Sequence, residues 1–384
     1  MEYRLEELCK IGSSKRIYLS EYTESGIPFY RGKEIIEKSN GKKISSQLFI
    51  SLEKYEEIKS KFNVPKIGDI LISAVGTLGK SWFVDEENFY FKDGNLIWLY
   101  DFNNEIINNR FLYYKLKSKW FENIIDGISI GSTQKAITIE QLKKVELDIP
   151  DIKLQNKIVE ILDGISIKIE VNNQTNDNLF ELGDTLYKEY YFQYINNLPE
   201  GYEIKSLKEV AENFDSKRKP LSSRERELHK GIYPYYGATS IIDHVDNYIF
   251  DDIYVLMGED GTVKTSKGNP VLQYIWGKNW INNHAHVLKG TKISTEHLYF
   301  ALRNVNVEPL ITGAVQPKIN QENMNKISFV IGTNEVNTKF ENIIGNIMKK
   351  SKQLIEENKI LEQLRDTLLP KLMNGEIDLD KIEI

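Results

Sequence analysis

The feature that most constrains this chain is an internal duplication, because the second half repeats the first at a fixed offset. Gln134 and Gln316 are 182 positions apart and lie in similar segments, GSTQKAI at 131–137 and GAVQPKI at 313–319. Self-similarity of this kind indicates two copies of one structural unit. The same offset relates two sets of apolar residues: Leu142, Val145, Leu147 and Ile149 with Met324, Ile327, Phe329 and Ile331, and Ile158, Leu162 and Ile165 with Phe340, Ile344 and Ile347.

The match is looser in the earlier part of each copy. The segment IPFY at 27–30 is similar to YPYY at 233–236, and GDILI at 68–72 is similar to DDIYV at 251–255. The spacing between these two landmarks differs between the copies by about twenty residues, which predicts insertions in surface loops.

Each copy predicts a mostly β module followed by one long helix. Short alternating runs at 69–75, 96–99, 248–256 and 285–288 are separated by Gly, Asn and Asp turns, which is typical of strands. One amphipathic helix is expected near 110–120 and again near 295–304. We therefore predict an α+β fold, in which two mostly β modules with small helices are joined by two long antiparallel helices in a pseudo-two-fold arrangement.

The two long helices are expected to follow Pro150 and Thr333. Apolar residues spaced by four and three, at 158, 162, 165 and 169 and again at 340, 344 and 347, predict the seam of a coiled coil. Two such stripes are expected to pack on each other and bury apolar surface. Asn176 and Asn358 are equivalent, and they lie either in the seam, where an amide costs stability but fixes the register, or on a solvated flank.

The bulk composition limits the class of protein. A chain of 384 residues is long enough for at least two cores. No apolar run approaches the roughly 20 residues that cross a bilayer, and the first residues, MEYRLEE, lack the layout of a signal peptide. Cys9 is the only cysteine, so we expect a cytoplasmic protein without an internal disulfide. The net charge of −6 argues mildly against a nucleic-acid partner, although the distribution of charge matters more than its sum.

The motifs of catalysis are incomplete, so we predict that the chain is not an enzyme. The segment GTLGKS at 76–81 is similar to the end of a phosphate-binding loop, but Ala74 stands where that loop needs a glycine. The segment NPVL at 269–272 lacks the second proline and the aromatic ring of an adenine methyltransferase loop. His284 and His286 share one face of a strand, which suits a metal, a base contact or plain hydrogen bonding; with no third ligand visible, no metal site is predicted.

Basic turns open the two modules at comparable places. The segments SSKR at 13–16 and SKRK at 216–219 mix hydroxyls with cations, as contacts to DNA phosphates require. A solvated basic turn is the alternative. The candidate DNA-binding residues here are Lys15, Arg16, Lys217, Arg218 and Lys219.

A second pair of segments combines an aromatic plane, a flexible glycine and hydrogen-bond donors, YRGK at 30–33 and YYGATS at 235–240. Arg31 is suited to bidentate pairing with guanine, and Tyr236 to stacking or a single hydrogen bond. Core packing is the alternative for the tyrosines. The candidates are Tyr30, Arg31, Lys33, Tyr235, Tyr236 and Ser240, to which His284 and His286 are added.

The recurring glutamine loops are the most persuasive candidates. Gln134 and Gln316 are suited to reading N6 and N7 of adenine, and the neighbouring lysines to holding the DNA backbone. A structural turn, in which the glutamine bonds its own backbone, is the alternative. The candidates in these loops are Thr133, Gln134, Lys135, Gln316 and Lys318.

Together these features resemble the specificity subunits of type I restriction-modification systems over the whole chain. The resemblance is carried by GSTQK at 131–135, by the step from Ile149-Pro150 into a helix with LQNKI at 154–158, and by the tail LRDTLLPKLMNGEI at 364–377. The stretch LPKLMNGEI at 369–377 is the most specific match, and the first copy departs from it with LYKEYYF at 186–192.

The resemblance implies target-recognition domains at 1–150 and 197–333, a first long helix at 151–196, and a second long helix with the C-terminal tail at 334–384. It also implies a non-catalytic subunit that reads a bipartite site in double-stranded DNA, with the paired helices setting the distance between the two half-sites. A helix of about 35 residues is roughly 50 Å long, enough to reach successive major-groove faces, which recur about every 34 Å.

The implied partners are two adenine-N6 methyltransferase subunits that use S-adenosylmethionine and two restriction subunits that use ATP and Mg²⁺, with no cofactor in this chain. These partners are expected to dock on the helices and outer domain surfaces. The alternatives are a recognition module of another DNA modification system, a coiled-coil scaffold that binds proteins but no DNA, and an autonomous nuclease.

Overall fold

A computed structural model describes residues 1–42, 44–131, 135–313, 316–377 and 379 of the chain. The contacts divide the chain into two compact units, of which the first comprises Met1–Ile169 with Lys359–Ile384 and the second comprises Glu170–Asn358. Within the described ranges, no helix is both long enough and apolar enough to cross a lipid bilayer.

The first module begins and ends in one small antiparallel sheet, since β1 pairs with β10. One four-stranded sheet has the order β2-β9-β6-β7, and another has the order β3-β5-β4-β8. The strands are β1 (Glu2–Arg4), β2 (Lys10–Gly12), β3 (Tyr22–Thr23), β4 (Ile27–Tyr30), β5 (Leu48–Ile50), β6 (Ile70–Ser73), β7 (Ser81–Phe83), β8 (Tyr90–Phe91), β9 (Leu96–Tyr100) and β10 (Glu146–Asp148). The helices are α1 (Leu5–Leu8), α2 (Gly32–Ser39), α3 (Leu52–Lys61), α4 (Asn109–Leu116), α5 (Lys119–Ile128) and α6 (Ile139–Lys143).

Strand β6 shows why the segment GTLGKS does not form a phosphate-binding loop. All four residues of β6 are buried, because the strand lies inside its sheet between β7 and β9. The chain then turns at Gly76 and Gly79, both with positive φ, and returns as β7, with Ile72 opposite Ser81. The segment is therefore a β-hairpin turn, and no helix follows it to bind a phosphate.

The second module repeats this plan. Strand β11 pairs with β20, and the four-stranded sheets have the orders β12-β19-β16-β17 and β14-β13-β18-β15. After the first long helix, α7 (Ile152–Tyr190), the strands are β11 (Glu203–Ser206), β12 (Ala211–Asn213), β13 (Lys230–Tyr236), β14 (Ile241–Val245), β15 (Phe250–Asp251), β16 (Tyr254–Gly258), β17 (Leu272–Ile275), β18 (Lys278–Ile281), β19 (Ala285–Gly290) and β20 (Ser328–Ile331). The helices are α8 (Leu207–Val210), α9 (Ser223–Leu228), α10 (Thr295–Arg303), α11 (Gln321–Asn325) and the second long helix, α12 (Asn334–Met373).

The strand registers confirm the duplication. In the first module β4 runs parallel to β8 and places Tyr30 opposite Phe91. In the second module β13 runs parallel to β18 and places Tyr236 opposite Ile281. The segments IPFY at 27–30 and YPYY at 233–236 therefore lie in equivalent strands, as expected from their similarity.

Two element predictions were wrong in detail. The helix expected near 110–120 is two helices, because α4 ends at Leu116 and the Ser118 hydroxyl donates to the Lys115 carbonyl at 2.7 Å in the break. The strand expected over 248–256 is also two, because β15 pairs with β18 while β16 lies between β17 and β19 in the other sheet. A local side-chain bond accompanies the first boundary, and pairing with distant strands decides the second.

The long helices are antiparallel, as predicted. In the first unit, Ile158 and Leu162 near the start of α7 share a core with Leu372 and Met373 at the end of α12. In the second unit, Tyr187 and Tyr191 at the end of α7 share a core with residues at the start of α12, Phe340, Ile344 and Ile347. Five of the predicted seam residues thus lie in the cores of the two units, where the β modules also contribute side chains, while Ile169 is only half-buried.

Amides occupy the helix seam inside the second unit. Asn172 is 2% exposed, and its Nδ2 donates to Asn358 Oδ1 at 2.8 Å and to Glu357 Oε2 at 3.0 Å. Asn358 Nδ2 in turn donates to Asn173 Oδ1 at 2.8 Å. The seam position of Asn358 is therefore confirmed, and Asn172 is a seam amide that the duplication did not reveal. Asn176 is half-buried, and its Oδ1 has no hydrogen-bond partner among the described residues.

Candidate nucleic-acid interface

The residues that flank the two recurring glutamine loops pair in equivalent ways, and the segments 130–136 and 312–318 between these pairs are named the hairpins. Ile130 and Ala136 exchange backbone hydrogen bonds of 2.9 Å, and Thr312 and Lys318 exchange backbone hydrogen bonds of 2.8 Å. Each hairpin is fixed to the strand segment after β6 or β16 by two further backbone bonds. In the first module, the Ile137 N–H donates to the Ala74 carbonyl at 3.0 Å and the Gly76 N–H to the Lys135 carbonyl at 3.2 Å. In the second, the Ile319 N–H donates to the Glu259 carbonyl at 2.9 Å and the Gly261 N–H to the Pro317 carbonyl at 3.0 Å. The two modules thus present one backbone frame with different side chains.

The predicted hairpin residues lie at the surface where they are described. Lys135 is exposed and lies 3.9 Å from Asp126. Gln316 is exposed, and Lys318 is 46% exposed with its Nζ 3.1 Å from Glu259 Oε1. The predictions for Thr133 and Gln134 fall outside the described residues.

A charged cluster of five residues, Asp215, Arg218, Glu259, His286 and Lys318, lies beneath the 312–318 hairpin. Glu259 accepts from Arg218 Nη1 at 2.7 Å as well as from Lys318. His286 is buried, with Nδ1 2.6 Å from Asp215 Oδ2 and Nε2 2.8 Å from the Ile319 carbonyl. Arg218 also lies 3.4 Å from Asp215, so the cluster joins the basic turn of the second module to its hairpin.

The electrostatics of this cluster favour ionised carboxylates. Burial raises the pKa of Asp215, but the hydrogen bond and positive charge of His286 outweigh it and hold the pKa below its ordinary value. Burial opposes ionisation of Glu259 in the same way, and the contacts with Arg218, His286 and Lys318 lower its pKa on balance. Both carboxylates are therefore committed to cations of the chain itself.

Two carboxylates of this cluster lie close enough to His286 to be considered as metal ligands. Ligand atoms of Asp215, Glu259 and His286 lie within 4.8 Å of one another. His284 does not join them, because its Nδ1 lies 2.6 Å from Asp260. Since Arg218 and Lys318 already neutralise the carboxylates, the arrangement is an ion-pair network rather than a cavity for a cation.

Among the cations predicted in the basic turns, Arg218 is corrected by the structure. It is 12% exposed, and its Nη1 also donates to the Ala285 carbonyl at 2.7 Å, so it does not reach the surface as a phosphate contact. Lys217 and Lys219 are exposed, and Lys217 Nζ lies 4.8 Å from the centre of the Phe214 ring. In the first module, Lys15 and Arg16 are both exposed.

The aromatic candidates divide into buried and accessible residues. Tyr30 is buried beside Trp82 and Phe89, and Tyr235 is buried with its hydroxyl accepting from the Leu221 N–H at 2.8 Å. Tyr30 and Tyr235 therefore pack in the core, and His286 is buried as well. Tyr236 is half-buried, while the remaining candidates of this group, Ser240 and His284, are exposed.

Arg31 is held in a fixed orientation by a buried carboxylate. Its Nη2 lies 2.6 Å from Glu34 Oε1 and its Nε 3.2 Å from Glu34 Oε2, while the Arg31 side chain remains 35% exposed. Burial raises the pKa of Glu34, but the bonds from Arg31 outweigh it and keep the pKa below its ordinary value. Lys33 is exposed nearby, with Nζ 3.4 Å from Ser46 Oγ.

The carboxylates that hold these cations were not predicted from the sequence. Glu34 had a local signal, because it lies three residues after Arg31 at the start of a helix, the spacing of a capping box. Asp215 also had one, since it lies three residues before Arg218. Glu259 had none, because it is distant in sequence from Arg218, His286 and Lys318. The exposed side chains that remain are cations, an amide and hydroxyls, which suit contacts to phosphates and base edges.

Comparisons with known proteins match this architecture. The family model for the type I restriction modification DNA specificity domain matches residues 1–181 and 199–366. A putative type I restriction enzyme specificity subunit of Haemophilus influenzae is 41% identical over 151 residues, a match that covers 39% of this chain and 36% of that relative. The type I restriction enzyme MjaIX specificity subunit of Methanocaldococcus jannaschii is 22% identical over 305 residues, covering 71% of this chain and 70% of that one.

A solved structure shares the fold. The S subunit of a type I restriction-modification system from M. genitalium superposes with a TM-score of 0.57 at 20% identity, over 97% of this chain and 95% of that one. Two family matches in tandem cover most of the sequence, and each coincides with one β module and much of the helix that follows it. The chain therefore belongs to the family of type I restriction-modification DNA specificity subunits.

Proposed function

We propose that this chain reads a bipartite site in double-stranded DNA and directs adenine-N6 methyltransferase and restriction subunits to it, without catalysing a reaction itself. Each module would read one half-site. S-adenosylmethionine, ATP and Mg²⁺ would then be bound by the partner subunits.

The observation that carries this proposal is the pair of equivalent hairpins. Both use the same backbone bonds, but the first places Ala74 and Ala136 where the second places Glu259 and Lys318. One backbone arrangement that carries two different sets of side chains suits the recognition of two different DNA sequences. A chain with two different readers recognises a site with two different halves.

The long helices support the separation of the half-sites. They contain 39 and 40 residues, and a helix of that length extends about 60 Å. Successive major-groove faces recur about every 34 Å along DNA. The length of the helices is therefore sufficient to set a spacer between two half-sites.

The net charge of −6 is compatible with DNA binding if the charges are separated on the surface. Exposed cations occur in the basic turns of both modules and in the first hairpin, namely Lys15, Arg16, Lys135, Lys217 and Lys219. These residues would displace counterions from DNA phosphates, which makes binding weaken steeply with salt. The acidic excess would then face the protein partners.

The test is methylation of a library of random duplexes by the methyltransferase encoded beside this chain, with and without the chain. We expect a split motif with a fixed spacer only when the chain is present. Gln134→Ala should relax the first half-site and Gln316→Ala the second, because each removes a donor and an acceptor suited to an adenine edge. Gln174→Ala, an exposed glutamine on α7, is the matched control and should leave both half-sites unchanged.

Methylation without sequence preference in the presence of the chain would contradict the proposal. In that case a scaffold that binds proteins but no DNA would be the better description. A motif with one half-site only would contradict the assignment of one reader to each module.

A further inference from the structure

We infer that Glu259 is a positioning residue for recognition of the second half-site. Its ion pairs with Lys318 and Arg218 hold the hairpin and the basic turn in place, and these two cations do not contact DNA phosphates. This inference rests on the proposed function, since it explains how one reader is held in place. It concerns only the second module, whose side chains around the hairpin differ from those of the first.

Glu259 holds the base of the 312–318 hairpin in two ways. Its carbonyl accepts from the Ile319 N–H at 2.9 Å, and its side chain lies 3.1 Å from Lys318 Nζ. The Glu259 side chain is 13% exposed, so its carboxylate is largely shielded from water, while the Lys318 side chain is 46% exposed. Lys318 is also the residue that pairs with Thr312 across the hairpin. Glu259 therefore contacts the strand that carries Gln316 through its backbone and through its carboxylate, and only the carboxylate contact depends on its side chain.

Arg218 extends this constraint to the basic turn. Its Nη1 donates to Glu259 at 2.7 Å and to the Ala285 carbonyl at 2.7 Å, and its Nε donates to the Asp215 carbonyl at 3.1 Å. A guanidinium whose donors are used inside the protein gains little from a phosphate. The cation instead fixes the turn that carries the exposed Lys217 and Lys219.

The first module shows that the hairpin frame does not itself require charges. Ala74 takes the position of Glu259, and Ala136 takes the position of Lys318, with the same backbone bonds. Alanine at either position is therefore compatible with the fold. The ion pairs of the second module are an additional constraint. We infer that they orient the 312–318 hairpin, which carries Gln316.

The first experiment measures DNA sequence preference in the complex of the full chain with its methyltransferase. For Lys318→Ala and Glu259→Gln, we expect discrimination in the second half-site to fall by about tenfold, which is within the range for one lost bidentate base contact. The first half-site should be unchanged and is the internal control. Glu322→Gln, which removes an exposed carboxylate paired with Lys326 on α11, should change neither half-site.

The salt dependence of DNA binding separates an anchor from a phosphate contact. Loss of one phosphate contact lowers the slope of log K against log salt by about one. We expect no change of slope for Lys318→Ala, and a decrease of about one for Lys135→Ala, the exposed lysine of the first hairpin. A decrease of about one for Lys318→Ala with both half-sites intact would overturn the inference. Loss of sequence discrimination in both half-sites of Glu259→Gln would overturn the inference too, because the cluster would then support the whole fold.

Hydrogen exchange tests the inference without DNA. In Glu259→Gln, the amides of Thr312 and Lys318 should exchange at least about tenfold faster, because their opening is no longer opposed by the ion pair. The amides of Ile130 and Ala136 should keep their rates. Unchanged exchange at 312 and 318 would overturn the positioning role even if the split motif is found, whereas accelerated exchange without any motif would contradict the proposed function alone.

Discussion

At the scale of single residues, the candidate interface depends on carboxylates that hold cations in place. Glu34 and Glu259 each orient a cation that the sequence analysis assigned to DNA. For Arg31, the fixed guanidinium remains partly exposed and its assignment to a guanine stays a prediction. For Arg218, burial removes it from the surface. The same type of contact therefore fixes a partly exposed guanidinium in the first module and a largely buried one in the second.

Substitution Glu34→Gln should destabilise the first module by about 2 kcal/mol, since hydrogen bonds to charged groups contribute about 1.5–3 kcal/mol. The fully buried carboxylate accepts from the side chain and from the backbone N–H of Arg31. Denaturant unfolding of the full chain measures the change. Glu56→Gln, which affects an exposed pair with Lys59 on α3, should cost less than about 0.5 kcal/mol. Equal effects of the two substitutions would contradict the structural role of Glu34.

His297 gives the second unit a pH dependence. It is fully buried, with Nδ1 3.2 Å from Glu341 Oε1 and the rings of Tyr191 and Phe340 within 5 Å of its own. Burial lowers the pKa of His297, and the contact with Glu341 opposes this only in part. The unfolded chain therefore takes up a proton at a higher pH than the folded chain does.

Stability should accordingly be complete above the ordinary histidine pKa of about 6.5. Below it, the second unit should lose about 1.4 kcal/mol per pH unit until the buried ring is protonated. Unfolding measured at pH 7.5, 6 and 5 tests this expectation. His297→Gln should flatten the dependence in this range. A parent chain whose stability does not change between pH 7.5 and 5 would rule out this linkage.

At the scale of elements, the amides of the helix seam are the least expected feature. Asn172 and Asn358 bond each other where a coiled coil usually places apolar residues. Such a pair costs stability compared with leucine but penalises any shift of the helices that separates the amides. It therefore favours one register of α7 against α12 within the second unit.

A double-mutant cycle tests this arrangement. Asn172→Leu or Asn358→Leu alone should destabilise the second unit by about 1–3 kcal/mol, because each removes the bond between the two amides and places a leucine against the remaining one. The double substitution should recover part of that loss, since both partners of this bond become apolar while Glu357 and Asn173 each lose one amide contact. Thermal unfolding of the four proteins gives the coupling energy. Additive losses would show that the two amides do not act as a pair.

The elements also show where sequence patterns succeed. The seam at 158, 162 and 165 was predictable because a long helix with apolar residues every three or four positions has one way to bury them. The break between α4 and α5 was not, because its residues are compatible with a continuous helix and Ser118 ends it by bonding a carbonyl. The split of 248–256 into β15 and β16 depends on pairing with strands from distant parts of the chain.

At the scale of the whole molecule, the proposed spacer between the half-sites follows from helix length. Insertion of one heptad at the same level in both helices, after Asn173 and after Glu357, keeps the phase of the seam. It lengthens each helix by about 10 Å, or about three base pairs of DNA at 3.4 Å each. We therefore expect a methylation motif with the same half-sites and a spacer longer by about three base pairs.

The control for this prediction is the same heptad in α7 alone. It leaves the two helices unequal, so it should lower the thermal stability of the chain and reduce methylation without producing a new spacer. An unchanged spacer with full activity in the double insertion would show that the helices do not set the distance between half-sites.

The sequence by itself determined the duplication, the two β modules, the antiparallel long helices and the family. These features depend on repeated patterns and on local periodicity, which any segment expresses without its neighbours. Only the tertiary structure decided which candidate side chains are accessible. Tyr30, Tyr235, His286 and Arg218 carry the same chemical groups as the exposed candidates, but strands distant in sequence surround them. Burial and ion pairing depend on such long-range contacts, and a single sequence does not specify them.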